Sequence, residues 1–346
     1  MRIDEKEYTK SFDIHIWKRL LPFLRPFTRT FVMVIVMNLL CAAVDIMLPL
    51  FQRAAIDNFI QQDTTQGLWL FSLVYALVIA AQTFFVILFA RGCMRIEMKL
   101  GRDMKRACFT HLQTLSFSYY NTTPVGYILA RVMSDTNRIA GMAAWQSVDL
   151  LWSLSYVLGV FAAMLLLNVK LALTIMLIVP AIALLTAYFQ NRILHWNRKI
   201  RKQNSKITNA YNEGIMGAKT SKTLVIEDQN SEEFTVITED MRRSGIKAAR
   251  LNAIFIPLVL LMGTIATAIV IRQGGGMVLD NLLMLGTLSA FASYATGIFE
   301  PIQQIARNLS EIISMQANIE RVIGLLDEQP QITDTPEVVE KYGTSL

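Results

Sequence analysis

The chain is expected to be an all-α membrane protein, with six transmembrane helices that extend into the cytosol. Three observations carry this expectation. Of its 346 residues 53% are hydrophobic and only 17% charged, with a mean hydropathy of +0.39, which is too apolar for an ordinary soluble domain. Apolar runs close to the roughly 20 residues that span a bilayer occur at about 31–55, 68–90, 150–167, 171–189, 251–271 and 282–299. Between the second and third runs, and between the fourth and fifth, apolar residues at helical spacing continue through two long polar excursions, 91–148 and 190–250.

The placement of charge sets orientation. The net charge is +6, and before the first run lie Arg2, Lys6, Lys10, Lys18, Arg19, Arg25 and Arg29. The two excursions hold most of the remaining Lys and Arg, whereas the other three loops have only Arg53, Lys170 and Arg272 at their margins. The positive-inside rule then puts both termini and both excursions in the cytosol, as in a multi-pass cell-membrane protein. Topology accounts for the basic balance, so no nucleic-acid partner is expected. Cys41 lies in a span and Cys93 and Cys108 lie at no metal-ligand spacing, which argues against a zinc site or a disulfide framework.

The elements follow in order. Phe12, Ile16, Leu20 and Leu24, with Trp17 beside them, predict an amphipathic helix lying in the membrane interface. The first span contains Asp45, four residues before Pro49. An ionisable residue within a span is costly, so Asp45 is a candidate cavity or gate residue, the alternative being a structural hydrogen bond. Glu300, at the other end of the span set, is the second such candidate. After the second span, Ile96, Leu100, Met104, Cys108, Leu112 and Leu115 keep an apolar stripe, so a helix from Leu68 to Leu115 would be about 70 Å long. Its tip is aromatic, with Phe117, Tyr119 and Tyr120 before a break at Thr122-Thr123-Pro124, where proline ends the helix. Ile128, Leu129, Val132 and Ile139 lead back toward the membrane.

Asn168-Val169-Lys170 makes a tight hairpin between the third and fourth spans. The fourth extends through Trp196, Ile200, Ile207, Tyr211 and Ile215, and Phe234, Ile237, Met241 and Ala248 return to the fifth. The second tip, Ala218–Asp228, sits between these arms. Gly274-Gly275-Gly276 reads as a flexible connector in the last outer loop. The sixth span continues as Ile305, Leu309, Ile312, Gln316, Ile319, Ile323 and Leu326, and its helix should end near Asp327-Glu328-Gln329-Pro330.

The motifs at both tips carry a resemblance. Phe117-x-x-Tyr120-Asn121-x-x-Pro124-x-Gly126, followed by Arg131, Ser134-Asp135 and Arg138-Ile139, is similar to the first intracellular loop of ABC exporters of the six-helix, domain-swapped type. Glu213, Gly217, Lys222, Glu227-Asp228 and Phe234 resemble the second loop of that family, KRLLPFLRPF its elbow helix, Pro49 and Ile56-Asp57 its first span, and Pro301, Arg321 and LLDEQPQITD its sixth helix and linker. The resemblance covers nearly all of the chain, but only the membrane half of a transporter. It implies an elbow segment at 1–27, a transmembrane domain at 28–327 and the start of a linker at 328–346.

It further implies that Phe117, Tyr119, Tyr120 and Asn121 in the first loop, and Thr223, Leu224, Glu227 and Asp228 in the second, couple to a nucleotide-binding domain. The other implied partners are the lipid bilayer, a second transmembrane subunit in a homo- or heterodimer, and a transported small molecule such as a drug, lipid or peptide. ATP and magnesium would be held in the nucleotide-binding domain. The sequence has no Gly-x-x-x-x-Gly-Lys-Ser/Thr, so no catalytic, cofactor or metal site is expected within it. Leu346 falls about where the family's nucleotide-binding domain begins. Two alternatives stay open: a gradient-driven secondary transporter, which should place charge pairs or broken helices near the midplane, and a membrane interaction module that transports nothing.

Overall fold

The computed structural model describes residues 13–330, all of its regular elements helical. Phe12, at the start of the predicted interfacial stripe, and the linker beyond Pro330 lie outside the described residues. In order, the helices are α1 (Ile14–Leu24), α2 (Thr28–Ala55), α3 (Leu68–Leu112), α4 (Phe117–Thr122), α5 (Val125–Leu129), α6 (Thr136–Gly141), α7 (Ser147–Leu167), α8 (Val169–Met216), α9 (Ala218–Leu224), α10 (Glu227–Leu279), α11 (Leu285–Gly297) and α12 (Phe299–Asp327). Short π-helical stretches, Ala130–Asp135 and Met142–Gln146, join α5, α6 and α7 into one rod.

Among the described residues, five helical stretches are long and apolar enough to cross a membrane: His15–Ile60, Leu68–Leu112, Val125–Leu167, Val169–Met216 and Glu227–Leu279. The sixth predicted span is divided between α11 and the start of α12. The division is slight, because Ile298 keeps a right-handed helical backbone and its N–H still donates to the Tyr294 carbonyl at 3.1 Å.

The chain forms two compact units. The first comprises the described parts of Met1–Leu48 and Arg307–Leu346 together with Thr65–Gly159. Its core gathers Leu20 from α1, the predicted α3 stripe Leu100, Met104, Cys108 and Leu112, Leu115 just beyond it, Ile128 and Ile139, and Ile319, Val322 and Ile323 from α12. Burying each such apolar side chain stabilises by about 1.5–3 kcal/mol, so the polar excursion is held by a core that it shares with α1 and α12. The α12 stripe holds from Ile312 to Leu326, whereas Leu309 is exposed. A second cluster, Val34, Cys93, Ile96, Ala144 and Val148, joins α2, α3 and the rod. There Gly92 is required, because a Cβ on it would stand 2.3 Å from a Val34 methyl.

The second unit comprises Pro49–Thr64 and Val160–Ala306. Asn168 caps α8 by accepting from the Leu171 N–H at 3.1 Å, which makes the predicted hairpin after α7. Helices α8 and α10 pack along each other, and α10 packs on α11. Here one expectation is corrected. Gly274-Gly275-Gly276 is no flexible connector but part of α10, which runs on to Leu279 and ends where Asn281 takes a left-handed backbone. Packing explains part of it: a Cβ at Gly274 would meet Leu288 at 2.5 Å, so the missing side chain there lets α11 approach, while Gly275 and Gly276 continue the helix in open space.

Candidate functional site

The first tip forms because Ser116 and Thr123, both extended, bracket α4, while Pro124 opens α5 after the break. Its three aromatic side chains have different tasks. Phe117 is 88% exposed, standing clear of the fold. Tyr119 packs against the core below, and this burial pushes its phenol above the ordinary value, with Arg131 opposing. Tyr120 donates from its hydroxyl to the Leu112 carbonyl at 2.6 Å and meets Tyr119 edge to face, with ring centroids 5.7 Å apart. Thus Tyr119 and Tyr120 fix the tip onto the end of α3, while Phe117 and the 41% exposed Tyr120 are what the tip presents. Asn121 is exposed beside them.

Two contacts brace this tip from behind. The Arg131 guanidinium lies 3.9 Å from the Tyr127 ring centroid and donates to its hydroxyl. Asp135, at the end of a π-helical stretch, is buried and accepts two hydrogen bonds from Arg321. Such π turns recur at functional sites.

The second tip is short, with the apolar run Leu224-Val225-Ile226 set among polar residues. Gly217 ends α8: its N–H donates to the Glu213 carbonyl at 2.7 Å, and a Cβ there would stand 2.7 Å from that same oxygen. Helix α9 follows, and Thr223 turns its hydroxyl back to the Lys219 carbonyl at 2.8 Å. Leu224 is 62% and Val225 81% exposed. Val225 has φ 53° and ψ 48°, a left-handed backbone that a β-branched residue rarely takes. Glu227 and Asp228 are exposed in the first turn of α10, where negative charge suits the helix N-terminus.

Sequence reasoning did not single out Val225; the apolar run Leu224-Val225-Ile226 between Lys222 and Glu227 was the available signal. It also missed a cleft of about 640 Å³ beside this tip, lined among others by Tyr211, Glu213, Ile215, Asn230 and Phe234. Along these arms the predicted stripe is only partly covered: Ala248 is buried, but Tyr211 and Ile215 are exposed.

The two span candidates differ. Asp45 is half-buried and accepts from Gln82 Nε2 at 2.6 Å and from Trp152 Nε1 at 3.2 Å, so it holds α2, α3 and α7 together within the first unit. Trp152 in turn stacks on Tyr156, centroids 5.5 Å apart. Glu300 is exposed in the first turn of α12. In the second unit, Asp57 accepts from the Gly286 N–H at 2.7 Å and pairs with Arg53 at 3.4 Å. Among the described residues no group of three or more His, Cys, Asp or Glu side chains is placed to hold a metal. Nor does the sequence offer the glycine-rich Lys-Ser/Thr loop that ATP phosphates require.

The sequence matches the ABC transporter transmembrane region family over residues 31–302. It is 26% identical over 329 residues to "Uncharacterized ABC transporter ATP-binding protein YknV" of Bacillus subtilis, covering 93% of this chain and 54% of that protein. It is 27% identical over 243 residues to an "ATP-dependent lipid A-core flippase" of Desulfotalea psychrophila, covering 70% and 42%. It is 29% identical over 238 residues to "Probable multidrug resistance ABC transporter ATP-binding/permease protein YheH" of Bacillus subtilis, covering 68% and 35%. The chain thus spans about half the length, or less, of the curated relatives it matches. With a family match over most of its length and an all-helical fold of long apolar spans, the chain belongs to the ABC transporter transmembrane region family and has the fold of an exporter transmembrane domain.

Proposed function

We propose that this chain is the transmembrane subunit of an ATP-driven exporter, forming the substrate pathway with a second such subunit and coupled to nucleotide-binding domains through its two tips. The observation that carries this reading is the exposure of Phe117 at one tip and of Leu224 and Val225 at the other. Leaving such side chains in water is unfavourable, and apolar anchors of this kind belong in a partner's groove. The names of the relatives, which contain "ATP-binding" or "ATP-dependent", support a nucleotide-binding domain as that partner.

The orientation is that given by the positive-inside rule, with both tips and both termini in the cytosol of a cell-membrane protein. ATP with magnesium, held in the partner domain, supplies the free energy. The residues of this chain then transmit movement: Phe117 and Leu224 seat in the partner, Glu227 and Asp228 offer charge to it, and Tyr119, Tyr120 and the Asp135–Arg321 pair hold the first tip rigid. The exposed Tyr211 and Ile215 on the second arm give a further chain something to cover, which supports a dimer, whether homo- or heteromeric. Relatives named as a lipid A-core flippase and a multidrug transporter suggest an amphipathic small molecule as cargo.

The test is flux of a fluorescent lipid and of a cationic dye in proteoliposomes, using the chain with and without a nucleotide-binding domain. Flux that needs both the domain and ATP is expected. Gradient-driven flux without the domain would replace this reading with a secondary transporter, and no flux in either preparation would leave a non-transporting module.

A further inference from the structure

On α1 and the turn after it, Lys18, Leu21, Pro22 and Arg25 stand at intervals of three, four and seven, one face of a helix. All four are exposed, Leu21 by 56%. The other side of α1 is committed to the fold. Leu20 is 2% exposed in the core of the first unit, Arg19 pairs with Asp327, and the Asp13 N–H donates to Gln316 Oε1 at 2.9 Å. The helix is therefore fixed while its outer face is left open.

Two clefts adjoin that face. One, of about 430 Å³, is lined by Trp17, Leu20, Leu24, Met142 and Ala143 among others. The second, of about 790 Å³, is lined by Leu21, Leu24 and Phe31 together with Lys18, Arg25 and Thr28. Neither Lys18 nor Arg25 is ion-paired with a carboxylate among the described residues. An apolar floor flanked by two cations that have no carboxylate partner among the described residues matches an anionic amphiphile; the Thr28 hydroxyl is already engaged, donating to the Arg25 carbonyl at 2.6 Å. A small inorganic anion would gain nothing from Leu21, Leu24 and Phe31, and a zwitterionic lipid, whose ammonium offsets its phosphate, would gain less from the cations than an anionic one.

We propose that this cleft is a binding site for an anionic phospholipid, with acyl chain on Leu21, Leu24 and Phe31 and phosphate within reach of Lys18 and Arg25. Apolar burial and charge together give firm interfacial binding where either alone is weak. Because α1 is held by Arg19 and Asp13, the site is preformed. It depends only on this being a multi-pass membrane protein, not on transport or on the coupling tips, so it stands or falls separately from them.

The test is native mass spectrometry of the detergent-purified chain with added dioleoyl phosphatidylglycerol, dioleoyl phosphatidylcholine or inorganic phosphate. Phosphatidylglycerol adducts should exceed phosphatidylcholine adducts, and Lys18→Gln/Arg25→Gln should reduce them by about thirtyfold, since each of the two cations contributes roughly 1 kcal/mol near an anionic surface. The charge-keeping Lys18→Arg/Arg25→Lys should restore them, and Lys99→Gln/Arg102→Gln should leave them unchanged, with circular dichroism confirming the fold of each variant. Three results would overturn the site: full retention of phosphatidylglycerol in the double Gln variant, equal retention of phosphatidylcholine, or displacement of the lipid by millimolar phosphate. Loss of a dimer mass with lipid binding intact would instead assign this face to a second copy of the chain.

Discussion

Arg321 closes a bidentate ion pair on Asp135, Nε to Oδ2 at 2.8 Å and Nη2 to Oδ1 at 2.9 Å, tying α12 to the rod at the end of a π-helical stretch. The Asp135 side chain is only 6% exposed and that of Arg321 30%. Removing the cation leaves a buried charge uncompensated, so Arg321→Ala should destabilise the first unit by about 3 kcal/mol. Asp135→Leu/Arg321→Met should recover much of that loss, because it removes both charges. Denaturant unfolding of the two variants in detergent checks the prediction; equal losses in both would show that the pair is not what holds α12 there.

Tyr120→Phe deletes one hydroxyl whose partner is the Leu112 carbonyl. The expected loss of stability is about 1 kcal/mol, with the ring and its edge contact to Tyr119 retained. Thermal unfolding should register the change. An unaltered midpoint would mean that water replaces the tyrosine at that carbonyl.

Val225 holds a left-handed backbone that costs a β-branched residue on the order of 1–2 kcal/mol, and asparagine tolerates it better. Val225→Asn should therefore raise stability by up to about 1 kcal/mol while weakening any partner that seats the valine side chain. A variant that is less stable than the parent would indicate that the valine contributes contacts within the chain that outweigh its strain.

The residues differ in how far the sequence disclosed them. The α3 stripe was legible because a 3.6-residue period over Ile96 to Leu112 has one burial solution, and all five stripe positions are buried. Pro124 and the Asp327 terminus were legible for a different local reason, because a proline ends or follows each helix there. What the sequence did not show was pairing across distance: Asp135 with Arg321, Asp45 with Gln82 and Trp152, and Asp57 with Gly286 each depend on which helices become neighbours. The glycine triplet misled because glycine ordinarily weakens helices, whereas here the helix runs through all three and a close approach to Leu288 calls for the first of them, Gly274. Among the tip aromatics, composition did not separate the fully displayed Phe117 from Tyr119, which packs on the core, or from Tyr120, which is exposed yet donates to the Leu112 carbonyl.

The Arg19–Asp327 pair makes a pH prediction. The Arg19 hydrogen bond holds the Asp327 carboxyl below its ordinary value. A carboxylate lowered in the folded state stabilises fully above its unfolded pKa and loses that contribution as pH falls through the folded value. The attachment of α1 to the end of α12 should thus be unchanged at neutral pH and weaken only at pH below the usual carboxylate range. Both side chains are about half exposed, so the effect is local and screened by salt. Limited proteolysis of α1 across an acid series, with Asp327→Asn as the pH-independent control, measures it; weakening already between pH 6 and 7 would contradict the assignment.

Coupling through the tips is tested most directly by transport and substrate-stimulated ATP hydrolysis of this transmembrane domain assembled with its nucleotide-binding domains. Phe117→Ala and Leu224→Ala would be compared with the exposed-arm control Lys99→Ala. Both tip side chains are largely exposed and outside the cores, so yield and thermal midpoint should match the parent. Transport should fall about tenfold or more in each tip variant, the effect of losing roughly 1.5–2 kcal/mol from an apolar anchor, and should be unchanged in Lys99→Ala. Transport equal in all three variants would contradict coupling through Phe117 and Leu224.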